Sequence, residues 1–166
     1  AHCGFLLDAA YDAAMSKAEP VSAAVWQARA AALRPDGRAL IAGRRVAAVS
    51  GETFDARSPI DGRTLGPVAS GDAADIDAAV VAARASFERG EWSRQSPAAR
   101  KRVLLKFAEL VAAHTEELAL LETLDMGKPI RDSLAVDVPA TVRTLRWYAE
   151  AIDKIYDEVA PTGPAA

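Results

Sequence analysis

The chain has 166 residues, enough for one domain or for a piece of a larger one, and its 51% hydrophobic and 26% charged content is that of an ordinary soluble globular protein. With 20 basic residues against 23 acidic ones the net charge is −3, which argues against an electrostatic binder of nucleic acid. No apolar run approaches the roughly 18 residues needed to cross a bilayer, and no charged start leads into an apolar secretory core. The single cysteine, Cys3, excludes an internal disulfide framework, so a reducing cytoplasm is the simplest compartment and no membrane partner is expected.

The chain begins at Ala1, while Met15-Ser-Lys resembles a start, so residues 1–14 read as an upstream leader. After Pro20, Val21, Val25, Ala28 and Ala32 fall on one helical face, and Arg34-Pro35-Asp36-Gly37 breaks it as a turn. ALIAGRRVAAV carries two short apolar runs around Ala42-Gly43 and predicts a hairpin. TFDARSP is a second extended segment, with Pro59 holding Ser58 out of the helical region. Ile60-Asp61-Gly62 turns the chain, and TLGPVA is a further strand whose Pro67 suggests an edge or a strand end.

From Asp72 the pattern is helical. Asp72 and Asp75 read as an N-cap with an acid in the first turn, and Ile76, Val80, Ala83 and Phe87 make one face up to Gly90. Ser96-Pro97 opens the next helix, with Val103, Leu104, Phe107, Leu110 and Val111 on its stripe. Thr115 starts another, carrying Leu118, Leu121 and Leu124. A last helix is expected from 137 to 158, with Val142, Leu145, Tyr148, Ile152, Ile155 and Val159 on one side and Tyr148 in the core. The tail at 160–166 reads as a loop. The helices offer more apolar stripe than two short hairpins can cover, which places the missing partner surface beyond Ala166.

Complete catalytic constellations are absent from the sequence. His2 and His114 share no metal-site spacing, and His114 reads as a helix-end or surface residue. No sequence context marks Cys3 as an activated thiolate. No GxGxxG, P-loop or GxSxG motif is present. The stretch LETLDMGKPI stands out instead: an apolar helical face stops at Asp125, Gly127, Lys128 and Pro129. Gly127 suits a helix end needing positive φ, Pro129 prevents continuation, and Lys128 places a cation near helix-terminal carbonyls.

The run 40–164 resembles the N-terminal part of the aldehyde dehydrogenase superfamily. IAGRRV, TFDARSPIDGRTLGPV, DAADIDAAVVAARASFERGEW, LETLDMGKPI and LRWYAEAIDKIYDEV come in that family's order. ERGEWS, HTEELALLETLDMGKPIRDSL and RWYAEAIDKIY look closest to the bacterial enzymes that oxidise γ-glutamyl-γ-aminobutyraldehyde and related aminoaldehydes. The resemblance implies an α/β fold in which hairpins and several helices pack on a Rossmann-like sheet missing from this chain, the chain alone being mainly α. With residues 1–14 read from Met15 as an upstream extension or a processing artefact and 15–37 as a helix and turn, the resemblance implies that 38–166 are the first part of an NAD(P)-binding domain, ending before the oligomerisation strand and the catalytic domain.

The activity implied is oxidation of an aldehyde to a carboxylic acid with NAD or NADP, in a homodimer or homotetramer. In that family a cysteine thiolate attacks the aldehyde, a backbone amide and an asparagine stabilise the oxyanion, and a glutamate activates water. Those residues and the Gly-rich cofactor segment would lie beyond this chain, which is then inactive alone.

The resemblance also implies two sites. Asp125, with the backbone carbonyls of Ala56 and Arg57, would help hold K+ or Na+, since hard cations prefer oxygen ligands. Ala56 and Ser58 stand where many relatives carry threonine and asparagine, a change that spares carbonyl ligands alone. The purely structural reading of Asp125 is a local cap or salt bridge, with Lys128 or an arginine. Asp137 would line the substrate entrance and attract a protonated amine; its structural reading is the N-cap of the last helix. Trp147 would meet another subunit or the tunnel wall, or simply pack. The competing reading of the whole chain is a free-standing, mainly helical interaction module that buries its own stripes.

Overall fold

The computed structural model describes residues 21–154. The expected leader, Cys3, the last residues of the final helix and the closing loop lie outside the described residues. The chain divides into two units, Ala1–Leu33 and Arg34–Ala166. In the first, α1 (Ala23–Ala32) starts at Ser22, whose hydroxyl accepts from the Val25 amide at 3.4 Å. The Arg29 guanidinium lies 4.8 Å from the Trp26 ring centre.

In the second unit, β1 (Ala39–Ile41) and β2 (Arg44–Val46) pair antiparallel around a two-residue turn with φ of 51° at Ala42 and 75° at Gly43. Positive φ at both turn positions matches the right-handed twist of the strands, which is why this sequence closes so tightly. β3 (Thr53–Arg57) and β4 (Thr64–Ala69) form the second hairpin, with a register shift between Ala56 and Arg57. Ser58 is buried at its turn, donating its amide to the Arg63 carbonyl and accepting from the Gly62 amide. Gly37 bridges to Val68 alongside β4, and a Cβ there would sit 2.1 Å from the Pro67 carbonyl oxygen, so only glycine fits.

α2 (Ala73–Arg89) opens with a full capping box between Asp72 and Asp75 and closes at Gly90 with φ 72°. Asp75 is buried, and its carboxylate also accepts from the Val49 amide at 3.0 Å, tying the loop after β2 to the helix start. α3 (Pro97–Ala113) is capped by Ser96. α4 (Thr115–Met126) follows directly, then a short α5 (Ile130–Asp132), a π-helical turn (Ser133–Asp137) and α6 (Val138–Ala151). His114 is the exposed junction between α3 and α4, its ring 3.2 Å from Glu117.

The core lies where α6 packs on α3 and α4. Ala108, Ala119 and Ala149 have no exposed surface, and Leu120, Leu124, Val138 and Val142 fill the space around them. Lys101 reaches across from α3 to Glu150 at 2.6 Å and Asp153 at 3.7 Å.

Several expected stripes are corrected by this packing. Tyr148, expected in the core, is 59% exposed, because Ala149 takes the buried position one turn after Leu145. On α4 the buried set is Thr115, Ala119, Leu120 and Leu124, while Leu118 faces outward. On α3 the expected stripe splits: Leu104 and Val111 turn inward, and Val103, Phe107 and Leu110 turn out. The α2 face remains open as expected, with Ile76 62% and Phe87 63% exposed. The last helix does not start at Asp137; helical backbone runs from Ile130, and α6 ends at Ala151.

Alanine at these contacts sets the spacing of the helices, so enlarging one overfills it. Ala149→Leu is expected to destabilise the fold by about 1–3 kcal/mol, read as a lower thermal midpoint by circular dichroism. Ala135→Leu, at an exposed position of the π turn, is expected to change it by no more than about 0.5 kcal/mol.

Candidate functional site

The end of α4 and the start of α6 face each other across a short segment. Gly127 ends α4 with φ 74°, and its amide donates to the Thr123 carbonyl at 3.0 Å. A Cβ on Gly127 would stand 3.0 Å from Pro59 Cγ, so the helix end rests on the turn that follows β3. Pro129 then blocks continuation, and its carbonyl accepts from the amides of Asp132 and Ser133 as the next helix begins.

The π turn has a local cause. Pro139 lies buried two residues into α6, has no N–H to donate, and in an ordinary helix its ring would crowd the Ala135 carbonyl. Widening the preceding turn removes that clash, and the Val138 amide bonds five residues back to Ser133. Ser133 is fully buried beneath the turn, its hydroxyl 3.5 Å from that of Thr123.

Asp137 closes this turn in a helical conformation, with φ −73° and ψ −52°, and makes no side-chain cap bond. The expected N-cap at Asp137 is therefore corrected: the D-x-P pattern here marks a proline-widened helix interior. Its carboxylate accepts instead from the Lys128 ammonium, and its backbone carbonyl accepts from the Thr141 hydroxyl at 2.9 Å. Both side chains of the Lys128–Asp137 pair are about one-third exposed or less, at 35% and 27%. The Asp137 hydrogen bond holds the Lys128 ammonium above the ordinary lysine range against partial loss of solvent, and the charges of Asp137, Glu122 and Asp132 add to the effect.

Lys128 is thus Asp137's partner, not that of Asp125. Asp125 lies exposed one turn before Pro129, and among the described residues no cation stands within ion-pair reach of it. The contact of Gly127 with Pro59 brings the α4 end beside the chain leaving β3, where Ala56 and Arg57 flank the register shift. No hydrogen bond joins Asp125 to either residue. The Arg57 guanidinium points to Asp55 at 3.4 Å and to the Gly62 carbonyl at 3.5 Å. A carboxylate and strand-end carbonyls are oxygen donors, a set that suits a hard monovalent cation.

Elsewhere, Trp147 and Tyr148 stack edge-on at 4.9 Å on the exposed side of α6. Trp92, Val103, Phe107 and Leu110 line an apolar groove along α3. Among the described residues no group of three or more His, Cys, Asp and Glu side chains is placed to hold a metal ion, and no helix is long and apolar enough to cross a membrane.

The model of the aldehyde dehydrogenase family matches residues 46–166. The chain belongs to the aldehyde dehydrogenase family. It is 55% identical over 139 residues to the NADP/NAD-dependent aldehyde dehydrogenase PuuC of Escherichia coli strain K12, over 84% of this chain and 28% of that protein. The solved gamma-glutamyl-gamma-aminobutyraldehyde dehydrogenase from Burkholderia cenocepacia J2315 is 52% identical, with a TM-score of 0.84, over 86% of this chain and 29% of that one. The indole-3-acetaldehyde dehydrogenase AldA of P. syringae, solved with NAD+ and IAA, is 57% identical with a TM-score of 0.84, also over 86% and 29%. The chain thus spans less than a third of the length of these aldehyde dehydrogenases, and the architecture expected from the resemblance, hairpins followed by helices of the aldehyde dehydrogenase fold, is the one they share.

Sequence reasoning named Asp125, Lys128 and Asp137 singly and missed the pairing of the last two. The available signal was Pro139 inside a continuous helical pattern, which makes a π turn and brings an acid nine residues after Lys128 back over it.

Gly127 holds a left-handed conformation against Pro59, so Gly127→Ala adds both backbone strain and a tight contact. It is expected to cost about 1–3 kcal/mol, measured by denaturant unfolding, with Gly51→Ala, at open space and similar φ, costing less.

Proposed function

We propose that the chain is the amino-terminal part of an NAD(P)-dependent aldehyde dehydrogenase that oxidises an aminoaldehyde, of the γ-glutamyl-γ-aminobutyraldehyde kind, to its carboxylic acid. The observation that carries this reading is the 52% identity, at a TM-score of 0.84, with a gamma-glutamyl-gamma-aminobutyraldehyde dehydrogenase. In it, residues 38–166 form the first part of the NAD(P)-binding domain, after a leader at 1–14 and a helix and turn at 15–37. The open apolar face of α2 suits packing against a larger sheet. NAD or NADP, and the cysteine, asparagine and glutamate of the chemistry, belong to the rest of the polypeptide, and the chain alone does not turn over. The enzyme works in the cytoplasm as a homodimer or homotetramer.

Within it, Asp125 and the Ala56 and Arg57 carbonyls hold K+ or Na+ near the start of the domain. The exposed carboxylate, free of any cationic side chain among the described residues, supports that role. Asp137 lies at the substrate entrance, where a carboxylate favours a protonated amine.

The complete polypeptide carrying this chain is expected to reduce NAD(P) with γ-glutamyl-γ-aminobutyraldehyde at a higher kcat/KM than with indole-3-acetaldehyde, followed by absorbance of the reduced nicotinamide. A reversed order would replace the substrate, and no reduction with either aldehyde would end the proposal. In the same enzyme Asp125→Ala is expected to abolish the response of activity or thermal midpoint to potassium and sodium. A variant responding like the wild type would remove Asp125 from the site.

A further inference from the structure

We propose that Lys128 is a positioning residue that sets the preference for amino over neutral aldehydes, by holding the carboxylate of Asp137 and masking its charge. The inference rests on the reading of Asp137 as the acid of the substrate entrance. What it adds is a second residue with an opposite effect.

The geometry fixes both partners. Lys128 is held between left-handed Gly127 and Pro129, so its backbone has little freedom. Asp137 is fixed by the π turn, with the Val138 amide bonded to Ser133 and the Thr141 hydroxyl on its own carbonyl. The ammonium hydrogen-bonds to Asp137, and the charges of Glu122 and Asp132 act on it from farther off. Asp132 is engaged by Arg131 at 3.2 Å, on the outer side of the turn. The pair is partly withdrawn from water, where screening is weaker than on an open surface.

A protonated amine approaching Asp137 therefore meets a carboxylate that already has a cation. Lys128 is a built-in competitor, and the attraction an incoming ammonium feels is what remains after that pairing. Removing the lysine's charge frees the carboxylate for the substrate. Keeping a cation of the same reach keeps the mask.

The test compares kcat and KM for γ-glutamyl-γ-aminobutyraldehyde, for a primary aminoaldehyde and for a neutral aliphatic aldehyde of equal length, in the complete enzyme. Lys128→Met is expected to raise the ratio of kcat/KM for the primary aminoaldehyde over the neutral aldehyde by about twofold to fivefold, the scale of one partly screened ion pair, mainly through KM. Lys128→Arg is expected to restore the wild-type ratio. In an Asp137→Asn background, where no carboxylate is left to unmask, the Lys128→Met effect is expected to shrink to the direct repulsion between the lysine and the substrate amine. Should Lys128→Met not fold, Lys128→Gln carries the same expectation, since it removes the charge while leaving a hydrogen-bond donor. Equal changes for both aldehydes, no change in their ratio, or a Lys128→Arg enzyme that behaves like Lys128→Met would overturn the role of Lys128. If Asp137→Asn alone leaves the ratio at the wild-type value, the substrate-entrance reading itself fails. If Asp137→Asn lowers the ratio while Lys128→Met does not move it, only the present inference fails.

Discussion

The helical layer rests on contacts the size of a methyl group. Ala108, Ala119 and Ala149 are fully enclosed where α3, α4 and α6 meet, and small residues allow helix axes to approach closely. Close approach fixes the helices but encloses little apolar area, and the large side chains left over point elsewhere. That is why Phe107 and Trp147 face solvent although each sits in a well-formed helix, while Ile76 and Phe87 are exposed on α2, away from these contacts. The free-standing module, which would bury its own stripes, fits this distribution poorly; a family member spanning less than a third of its relatives' length fits it well.

Polar devices do the work that a large core would do for the hairpins. Asp75 caps α2 and holds the Val49 amide at once, so a carboxylate anchors the loop after β2 next to its one buried apolar residue, Ala48. Gly37 lets the chain lie directly on β4, and Ser58 closes the β3–β4 turn through its own backbone. Such arrangements are directional, so they place the turn at Pro59 where the end of α4 can rest on it. The candidate site depends on that contact and on the widened helix opposite.

Local chemistry was legible in the sequence, and long-range placement was not. The caps at Asp72 and Ser96, the stops at Gly90 and Gly127, and the Ala42-Gly43 turn each depend on a few neighbouring residues, and each stands as read. The stripes were read less well, because periodicity favours large apolar residues over the alanines that occupy the tightest positions. Tyr148 and Leu118 lost their expected places to Ala149 and Ala119 for that reason. Asp137 was misread because an acid two residues before a proline looks the same at a helix start and at a proline-widened turn. Only the helical backbone from Ile130 onward separates the two, and that depends on Pro129 having already restarted the helix.

The π turn carries one residue more than a regular helix of the same span needs. Deleting a single residue from Ser133–Asp137 would let the segment close into an ordinary helix while the stretches on either side keep nearly the same facing, because the widened turn already absorbs the rotation of about 100° that one residue makes in a regular helix. The segment therefore works as slack in length between the loop at Lys128 and the helix that carries Trp147 and Tyr148. A one-residue change of length at this place leaves the alanine contacts facing each other, whereas the same change inside α6 would turn Ala149 away from them.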